Sequence, residues 1–504
     1  MIGYAGSGYK GMQINSQEKT IEGDLFEAFV KAGAISKANA DDPKKSSLVR
    51  CARTDKGVHA AGNVISLKLI VEDPDIVQSI NSHLPNQIRV WGMERTNGSF
   101  SCYQTCDSRW YEYLIPTFSF IPPHPQSFLA RKLVASAAKE GVSETYQTRQ
   151  ADAASFWETA EEVYVKPILD KLDPEVRANV LAAIHSSEEE IEPGNATTNT
   201  KNRFGDAMID TKRKTPETKE RFLADSTMKD EGDVKLSGDL LGNTDQGDHS
   251  SVETSVAAPS AKRKREDDDE VGPNTKGEKV MQEDDTEARM EPNHGLQAES
   301  SQGDLTGVMD TEGSKTILTP LEGAVKEVKA AYITAKKAYR ISKQRRQRVQ
   351  EALNAYIGTR NFHNYTIQKK FSDPSAKRVI RSFDVGTDPV IINDTEWLSL
   401  KVHGQSFMMH QIRKMVAMAT LVVRCGSPLS IIQESYGPAN ISIPKAPGLG
   451  LLLERPVFDS YNGRAARDYS REKIDFDKYQ KEMDEFKQRE IYDRIFREEE
   501  RDHQ

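Results

Sequence analysis

Several features that define other protein classes are missing from this chain of 504 residues. It contains no run of about 18 apolar residues, so a membrane-spanning helix is not predicted. Cysteine is scarce, with four residues, which argues for a reducing compartment and against a disulfide framework. The N-terminus lacks the basic-then-apolar pattern of a signal peptide. We therefore expect a large soluble protein with two or more domains.

Nucleotide-binding and metal-binding motifs are also incomplete. Gly6, Gly8 and Gly11 are not followed by the Lys-Ser/Thr pair of a phosphate-binding loop, so they predict a turn. Cys102 and Cys106 have a C-x3-C spacing, but no second cysteine pair follows at finger spacing. A structural zinc site is therefore the less favoured interpretation, and we predict no metal.

The net charge of -8 hides an uneven distribution. Residues 186–312 are rich in Asp, Glu, Ser, Thr and Gly and poor in aromatics, a composition that cannot bury enough apolar surface to fold. We predict a disordered acidic insert over 186–318. Basic residues cluster outside it, and local charge rather than the sum decides affinity for nucleic acid. This basic cluster comprises Lys336, Lys337, Arg340, Arg345, Arg346 and their neighbours.

One basic run interrupts the acidic insert, at Lys262-Arg263-Lys264-Arg265. A short basic run on a flexible segment is typical of a nuclear localisation signal. The alternative is a solvated cluster that balances the acidic residues beside it. We expect a nuclear protein on the first interpretation.

Asp55 is the strongest candidate for a catalytic residue. It lies in the string Arg53-Thr54-Asp55-Lys56-Gly57-Val58-His59-Ala60, ahead of a strand-like run over 63–70, so it is expected on a loop at a strand end. An arginine two residues away favours the ionised carboxylate. A fixed, ionised carboxylate can act as a nucleophile or a base. The alternative is a surface turn with an incidental aspartate.

The hydrophobic pattern predicts helices and strands twice over, which indicates an α+β fold with two related halves. Predicted strands cover Ile2–Tyr4, Val64–Ile70, Ile88–Glu94, Trp110–Pro116 and Trp397–Val402. Predicted helices cover Glu22–Gly33, Pro74–Leu84, much of 126–185, a long basic helix from Lys326 to Ile357, and Met408–Val423. In the charged tail, Phe476, Tyr479, Met483 and Phe486 predict a helix packed through one stripe, and a partner-binding helix is the minority interpretation.

Separated blocks of the chain resemble the TruA-type tRNA pseudouridine synthases, most closely their eukaryotic nuclear branch. The blocks are Tyr4 to Gln13, Thr20 to Leu25, Arg53 to Ala60, Ser108 to Tyr113, Gly358 to Thr366, Gly404 to Met415 and Pro447 to Leu451. The resemblance covers roughly residues 1–125 and 319–460. It implies a mixed or antiparallel sheet in two halves flanked by helices, with an RNA cleft between them.

The same resemblance implies an isomerase that flips uridines out of tRNA, and of other RNAs such as snRNA or mRNA, and converts them to pseudouridine. Asp55 is then the essential carboxylate, Tyr111 stacks on the flipped uracil, and Arg413 pairs with Asp55. Arg53, Lys56 and His59 are expected to contact RNA, as are Lys336, Lys337 and Arg340 of the basic cluster. The implied reaction needs no cofactor, and we expect a monomer.

Alternatives stay open for each of these roles. Tyr111 is alternatively an ordinary aromatic residue of a strand. Arg413 alternatively forms a structural ion pair with another residue, and Arg53 alternatively makes a plain contact with a phosphate. His363 and His410 are weaker candidates for RNA contact, because a packed, hydrogen-bonded histidine is the more frequent outcome. The alternative function for the whole chain is a tRNA-binding folding chaperone without catalysis.

The expected organisation has five parts: an N-terminal catalytic half (1–125), a helical segment (126–185), the acidic insert (186–318), a C-terminal half of the catalytic fold (319–460) and a charged helical tail (461–504). Met1 falls inside the first predicted strand, where the family has further apolar residues upstream. We expect this abbreviated strand to leave its sheet neighbour under-paired.

Overall fold

Strands from both ends of the chain combine into one mixed sheet. The computed structural model describes residues 1–15, 17–186, 319–386 and 388–502. Nearly all of the predicted acidic insert, including the basic run at 262–265, lies outside these ranges. The described strands are β1 (Ile2–Tyr4), β2 (Val49–Arg50), β3 (His59–Asn63), β4 (Ile65–Ser66), β5 (Ile88–Val90), β6 (Ser108–Pro116), β7 (Gly358–Asn361), β8 (Lys377–Val385), β9 (Val390–Ile392), β10 (Thr395–Gly404) and β11 (Leu451–Val457).

The order of the main sheet interleaves the two halves of the sequence. It runs β5-β1-β3-β11-β6-β10-β8-β7, with β9 paired to β10, while β2 and β4 form a separate pair. β11 comes from the end of the chain, yet it lies between β3 and β6, parallel to β3 and antiparallel to β6. In the middle of the sheet, β3, β11, β6 and β10 are therefore consecutive neighbours.

Helices cover the sheet and fill the helical segment. They are α1 (Ile21–Lys31), α2 (Ile76–Ser82), α3 (Phe128–Lys139), α4 (Ser143–Gln150), α5 (Phe156–Ala160), α6 (Lys166–Leu169), α7 (Pro174–Ser186), α8 (Pro320–Lys337), α9 (Lys343–Asn354), α10 (Gln411–Arg424), α11 (Ser430–Glu434), α12 (Asp459–Tyr469), α13 (Gln480–Phe486) and α14 (Asp493–Asp502). Two π-helical stretches, Glu161–Val165 and Lys487–Tyr492, lie within the helical segment and the tail.

The strands bury both faces of the sheet, because successive side chains point to opposite sides. Leu451 and Leu453 of β11 join the core formed with α1, α2, α9 and α10, whereas Leu452 joins the core beneath the C-terminal helices. Each fully buried leucine of this kind contributes roughly 1.5–3 kcal/mol. Along β6, Tyr111 belongs to the first core and Leu114 to the second. The two faces therefore pack against different neighbours.

The tail packs on the second face through the predicted apolar stripe. Phe476, Met483 and Phe486 are buried there. Lys487 bridges Glu112 of β6 (3.4 Å) and Glu454 of β11, so the tail is also fixed by buried charge. This confirms the prediction of a helix packed on the body.

The prediction of one long basic helix from Lys326 to Ile357 is wrong, because the structure has two helices there. The chain breaks between α8 and α9, where the Ser342 hydroxyl accepts a hydrogen bond from Arg345 N at 2.9 Å and caps α9. A serine at this position satisfies an otherwise unpaired backbone N–H and starts a new helix. The predicted strand over Val64–Ile70 is also too long, since the regular pairing covers His59–Asn63 and then only Ile65–Ser66.

The short first strand is paired on both sides. Ile2 and Tyr4 match Asn63 and Ala60 of β3, and all three β1 residues match β5, which is equally short. The Met1 ammonium donates to Gly92 O at 2.9 Å. The expectation of an under-paired sheet neighbour is therefore wrong.

These elements form a mixed α+β fold, a large mixed sheet with flanking helices. Across the part of the chain that the structure describes, no helix combines the length and the apolar character needed to cross a bilayer.

Candidate active site

A tight turn presents Asp55 just before β3. Val58 N donates to Asp55 O at 3.1 Å and closes the turn. Gly57 has a φ of 76°, a left-handed conformation that glycine adopts without steric cost. The string Asp55-Lys56-Gly57 therefore folds as the sequence predicts, with the carboxylate on a loop ahead of a strand.

The turn that contains Gly6, Gly8 and Gly11 packs against this loop. A Cβ atom on Gly6 would lie 2.1 Å from Val58 O, so only glycine allows the two backbones this close. Met12 N donates to Thr54 O at 3.1 Å, and the Tyr4 hydroxyl bonds Thr54 Oγ1 at 2.8 Å. The residue preceding Asp55 is thus held by both backbone and side chain.

The Asp55 side chain lines a cleft between this loop and the start of α10. The cleft brings together four predicted residues from three separate sequence blocks: Arg53, Asp55, Tyr111 and Arg413. Its other walls are mainly apolar. They are formed by Val58, Phe407, Met408, Met409, Ile412 and Leu451 together with Thr54, His410 and Gln411.

Two cationic or hydrogen-bonding side chains approach the same oxygen of Asp55. His410 Nδ1 lies 2.8 Å from Asp55 Oδ2, and Arg413 Nη1 lies 3.8 Å from it. Arg413 Nε donates instead to Ala446 O at 2.7 Å, which fixes the guanidinium beside the carboxylate. Arg413 is largely buried, and its contact with Asp55 is an ion pair longer than a direct hydrogen bond.

Tyr111 forms another wall of the Asp55 cleft. It lies in the middle of β6, opposite Leu453 of β11 and Val402 of β10, so neighbours on both sides fix its backbone. Its ring meets Phe407 edge to face at 5.2 Å. Burial raises the pKa of its phenol, which therefore stays protonated at neutral pH. The ring presents an aromatic surface next to the carboxylate.

The three RNA contacts predicted around Asp55 have different environments. Arg53 and Lys56 are exposed on the loop, where RNA can reach them. His59 is fully buried in β3, and its Nδ1 accepts a hydrogen bond from Gly6 N at 3.2 Å. Direct RNA contact by His59 is therefore not supported, because the turn and the sheet enclose its ring. Burial lowers the pKa of His59 to about 4, so it is neutral at pH 7.

The basic cluster does not line the Asp55 cleft. Arg340 is exposed, Lys337 pairs with Glu500 at 3.1 Å, and the Lys336 ammonium lies 5.9 Å from the centre of the Trp157 ring. Arg345 is buried against Asp152, with a guanidinium–carboxylate distance of 2.8 Å. Arg345 is therefore a structural residue, and its expected place among the RNA-facing charges is wrong.

The two cysteines of the C-x3-C pair, Cys102 and Cys106, face backbone carbonyls. Cys102 Sγ donates to Val49 O and Cys106 Sγ donates to Ser108 O, each at 3.2 Å. Among the residues with described positions, no group of three or more His, Cys, Asp and Glu side chains is arranged to hold a metal ion.

Sequence reasoning underrated one residue and missed another. His410 ranked as a packed histidine, yet it makes the shortest side-chain contact to Asp55 among the described residues. Phe407, in the same block, was not identified at all. The available signal was position: both residues lie just before the helix that carries Arg413.

A mixed sheet with flanking helices, and a cleft that joins an ion-paired aspartate to a buried tyrosine, match what the resemblance to the pseudouridine synthases, a class of RNA-modifying isomerases, implies. Comparison with known proteins agrees. Residues 352–459 match the family model described as tRNA pseudouridine synthase.

Curated relatives match over almost the entire chain. The tRNA pseudouridine synthase 1 of Yarrowia lipolytica is 38% identical over 504 residues, covering 100% of this chain and 71% of the relative. That of Schizosaccharomyces pombe is 39% identical, covering 99% and 80%, and that of Saccharomyces cerevisiae is 37% identical, covering 96% and 65%. The chain belongs to the tRNA pseudouridine synthase family, and its activity is that of an isomerase.

Proposed function

We propose that this protein converts uridines of tRNA to pseudouridine in the Asp55 cleft. The observation that carries the proposal is the convergence of Asp55, Tyr111 and Arg413, from three distant parts of the chain, on one cleft. The reaction breaks the N1–C1′ bond of uridine and forms a C5–C1′ bond, while C5 loses a proton and N1 gains one, so the detached uracil must turn within the site. No group is oxidised or reduced.

The target base must first leave the RNA stack, which costs a few kcal/mol. An apolar cleft with an aromatic wall offsets this unstacking cost, because a flipped pyrimidine can stack on the ring of Tyr111. Asp55 supplies the carboxylate that acts on the substrate, and Arg413 is its ion-pair partner in the cleft. Arg53, which is exposed two residues before Asp55, is proposed to contact the RNA that the base has left.

A tRNA-folding chaperone without catalysis is the alternative function. It needs basic grooves but no fixed carboxylate, whereas this cleft holds Asp55 between a histidine and an arginine. Nucleoside analysis of tRNA after incubation with the protein separates the two functions, because a chaperone leaves uridine unchanged. We propose other RNAs, including snRNA and mRNA, as further substrates and a monomer as the active form. The same assay on those RNAs and the mass in solution test both.

RNA binding is expected to weaken steeply with salt despite the acidic sequence pI of about 5.8. Counterions should be released from phosphates that contact Arg53 and Lys56 beside the cleft, and from phosphates that contact Lys336, Lys337 and Arg340 of the basic cluster. Each contact contributes about 0.7–0.9 to the slope of log affinity against log salt.

The measurement is tRNA binding across a salt series for wild type, Arg53→Ala/Lys56→Ala and Lys337→Ala/Arg340→Ala. Each double variant should show a shallower slope than wild type. Arg455→Ala is a matched control, because Arg455 pairs with Asp477 on the tail side of the sheet. Affinity of the wild type that stays flat from low to moderate salt would refute an electrostatic RNA surface.

We propose that the run Lys262–Arg265 directs the protein to the nucleus. Replacing these four residues with alanine in a fluorescent fusion should move the protein to the cytoplasm. The basic triplet Lys212–Lys214 in the same part of the chain provides a matched control, and its alanine variant should stay nuclear. Unchanged nuclear fluorescence of the first variant would show that the run only balances its acidic neighbours.

A further inference from the structure

His410 occupies a strained position at the start of α10. Its φ of 61° is left-handed, a conformation that few residues other than glycine adopt, although Asn, Asp and His do so more often than the rest. Hydrogen bonds hold the turn on both sides: Gln411 N donates to Met408 O at 3.1 Å, and Thr366 Oγ1 donates to Met409 O at 3.0 Å. Strain of this kind persists where the surrounding structure fixes it, and it concentrates at functional sites.

This conformation aims the imidazole at Asp55. The Nδ1–Oδ2 distance of 2.8 Å is that of a hydrogen bond, whereas the Arg413 Nη1–Oδ2 distance of 3.8 Å is not. Arg413 directs its Nε to a backbone carbonyl, that of Ala446. The orientation of the Asp55 carboxylate therefore depends on His410 more than on Arg413.

The protonation state follows from the neighbours of His410. Burial lowers its pKa below the ordinary value of 6.5 and outweighs Asp55, which favours the charged form, while Lys445 and Arg413 oppose a further positive charge. His410 is thus neutral at pH 7. A neutral imidazole that bonds an ionised carboxylate through Nδ1 must carry its proton on Nδ1.

We propose that His410 is a positioning residue for Asp55. Its Nδ1–H holds Oδ2, so that Oδ1 is turned toward the flipped uridine. This inference rests on the proposed role of Asp55 as the essential carboxylate. It assigns to a histidine a task that the sequence alone suggested for Arg413.

Three substitutions of His410 separate the hydrogen bond from the backbone strain. Asparagine places an N–H close to the position of Nδ1 and tolerates the left-handed conformation. Glycine removes the bond and relieves the strain, whereas alanine removes the bond and keeps the strain. With purified full-length protein and a tRNA transcript, we expect kcat of His410→Asn to stay within a few-fold of wild type. Kcat of His410→Gly should fall by about 10- to 100-fold, the loss expected for one hydrogen bond to a charged group.

The KM and the pH profile distinguish positioning from a merely structural role. His410→Gly should keep the wild-type KM, because the imidazole is not proposed to bind RNA. As the pH falls through the pKa of His410, the wild-type kcat should decline, since the imidazolium pairs more tightly with Asp55 and makes it less reactive. This limb should vanish in His410→Asn.

Asp55→Asn in the same assay separates failure of this inference from failure of the proposed function. If Asp55→Asn keeps activity, the role of Asp55 is wrong and the inference falls with it. If Asp55→Asn is inactive while His410→Gly keeps the wild-type kcat and pH profile, only the inference is overturned. Equal losses in the Asn, Gly and Ala variants, at unchanged melting temperature, would also overturn it, because they would show that the imidazole acts by packing.

Discussion

Replacing Asp55 with asparagine is expected to abolish pseudouridine formation while tRNA binding stays within a few-fold of wild type. The amide has almost the same shape as the carboxylate, and it can still occupy the turn closed by Val58 N. It is, however, a far weaker nucleophile or base, so only the chemical step is lost. Nucleoside analysis of the reacted tRNA gives the activity, and a binding titration at fixed salt gives the affinity.

Asp41→Asn is the matched control, since Asp41 is an exposed aspartate whose side chain pairs with Lys45. It should keep both activity and binding. Arg413→Ala is the companion variant and should lose activity and melt at a lower temperature, because it removes the Asp55 ion pair and the bond to Ala446 O. Turnover by Asp55→Asn near the wild-type rate would show that another group carries the reaction.

Replacing Arg345 with alanine is expected to have the largest effect on stability. Its guanidinium is 1% exposed and donates to both carboxylate oxygens of Asp152, at 3.0 and 2.8 Å, and to Phe120 O at 2.7 Å. Removing it leaves a buried carboxylate without its counter-charge. The free energy of unfolding should fall by about 3–5 kcal/mol. Denaturant unfolding followed by circular dichroism measures the loss.

Lys343→Ala is the matched control, because Lys343 is exposed in the same helix. Its unfolding should match wild type. The pH dependence provides a second check. Although burial opposes ionisation of Asp152, the hydrogen bonds from Arg345 and Ser342 lower its pKa below 3.8 in the folded protein. The stabilisation is then complete above that value and is lost as the pH falls below it. An Arg345→Ala protein as stable as wild type would contradict the buried-pair assignment.

Residues within one sequence block proved easier to predict than contacts between blocks. The turn at Asp55-Lys56-Gly57 forms as expected, because an aspartate beside a glycine encodes a local backbone shape. In the predicted stripe, Phe476, Met483 and Phe486 are buried and Tyr479 is partly buried against them, since the spacing of the stripe is local too. Both predictions depend on neighbours in sequence.

The errors arise where a partner lies far away along the chain. Arg345 looked like a surface charge, because nothing in its own helix indicates Asp152. His59 looked like an RNA contact, because the parallel pairing that encloses β3 is made by β11, from the far end of the sequence. His410 was underrated for the same reason, since Asp55 belongs to the other half of the fold. Charge and residue type alone do not reveal tertiary partners.

The most direct test of the central claim uses a tRNA transcript with tritium at C5 of uridine. Forming the C5–C1′ bond displaces the C5 hydrogen, so isomerisation by the wild-type protein should release tritium to water and yield an equal amount of pseudouridine on nucleoside analysis. Release should be absent with Asp55→Asn. Wild-type protein that binds the transcript but releases no tritium and forms no pseudouridine would contradict the assignment of this cleft as the active site of a tRNA pseudouridine synthase.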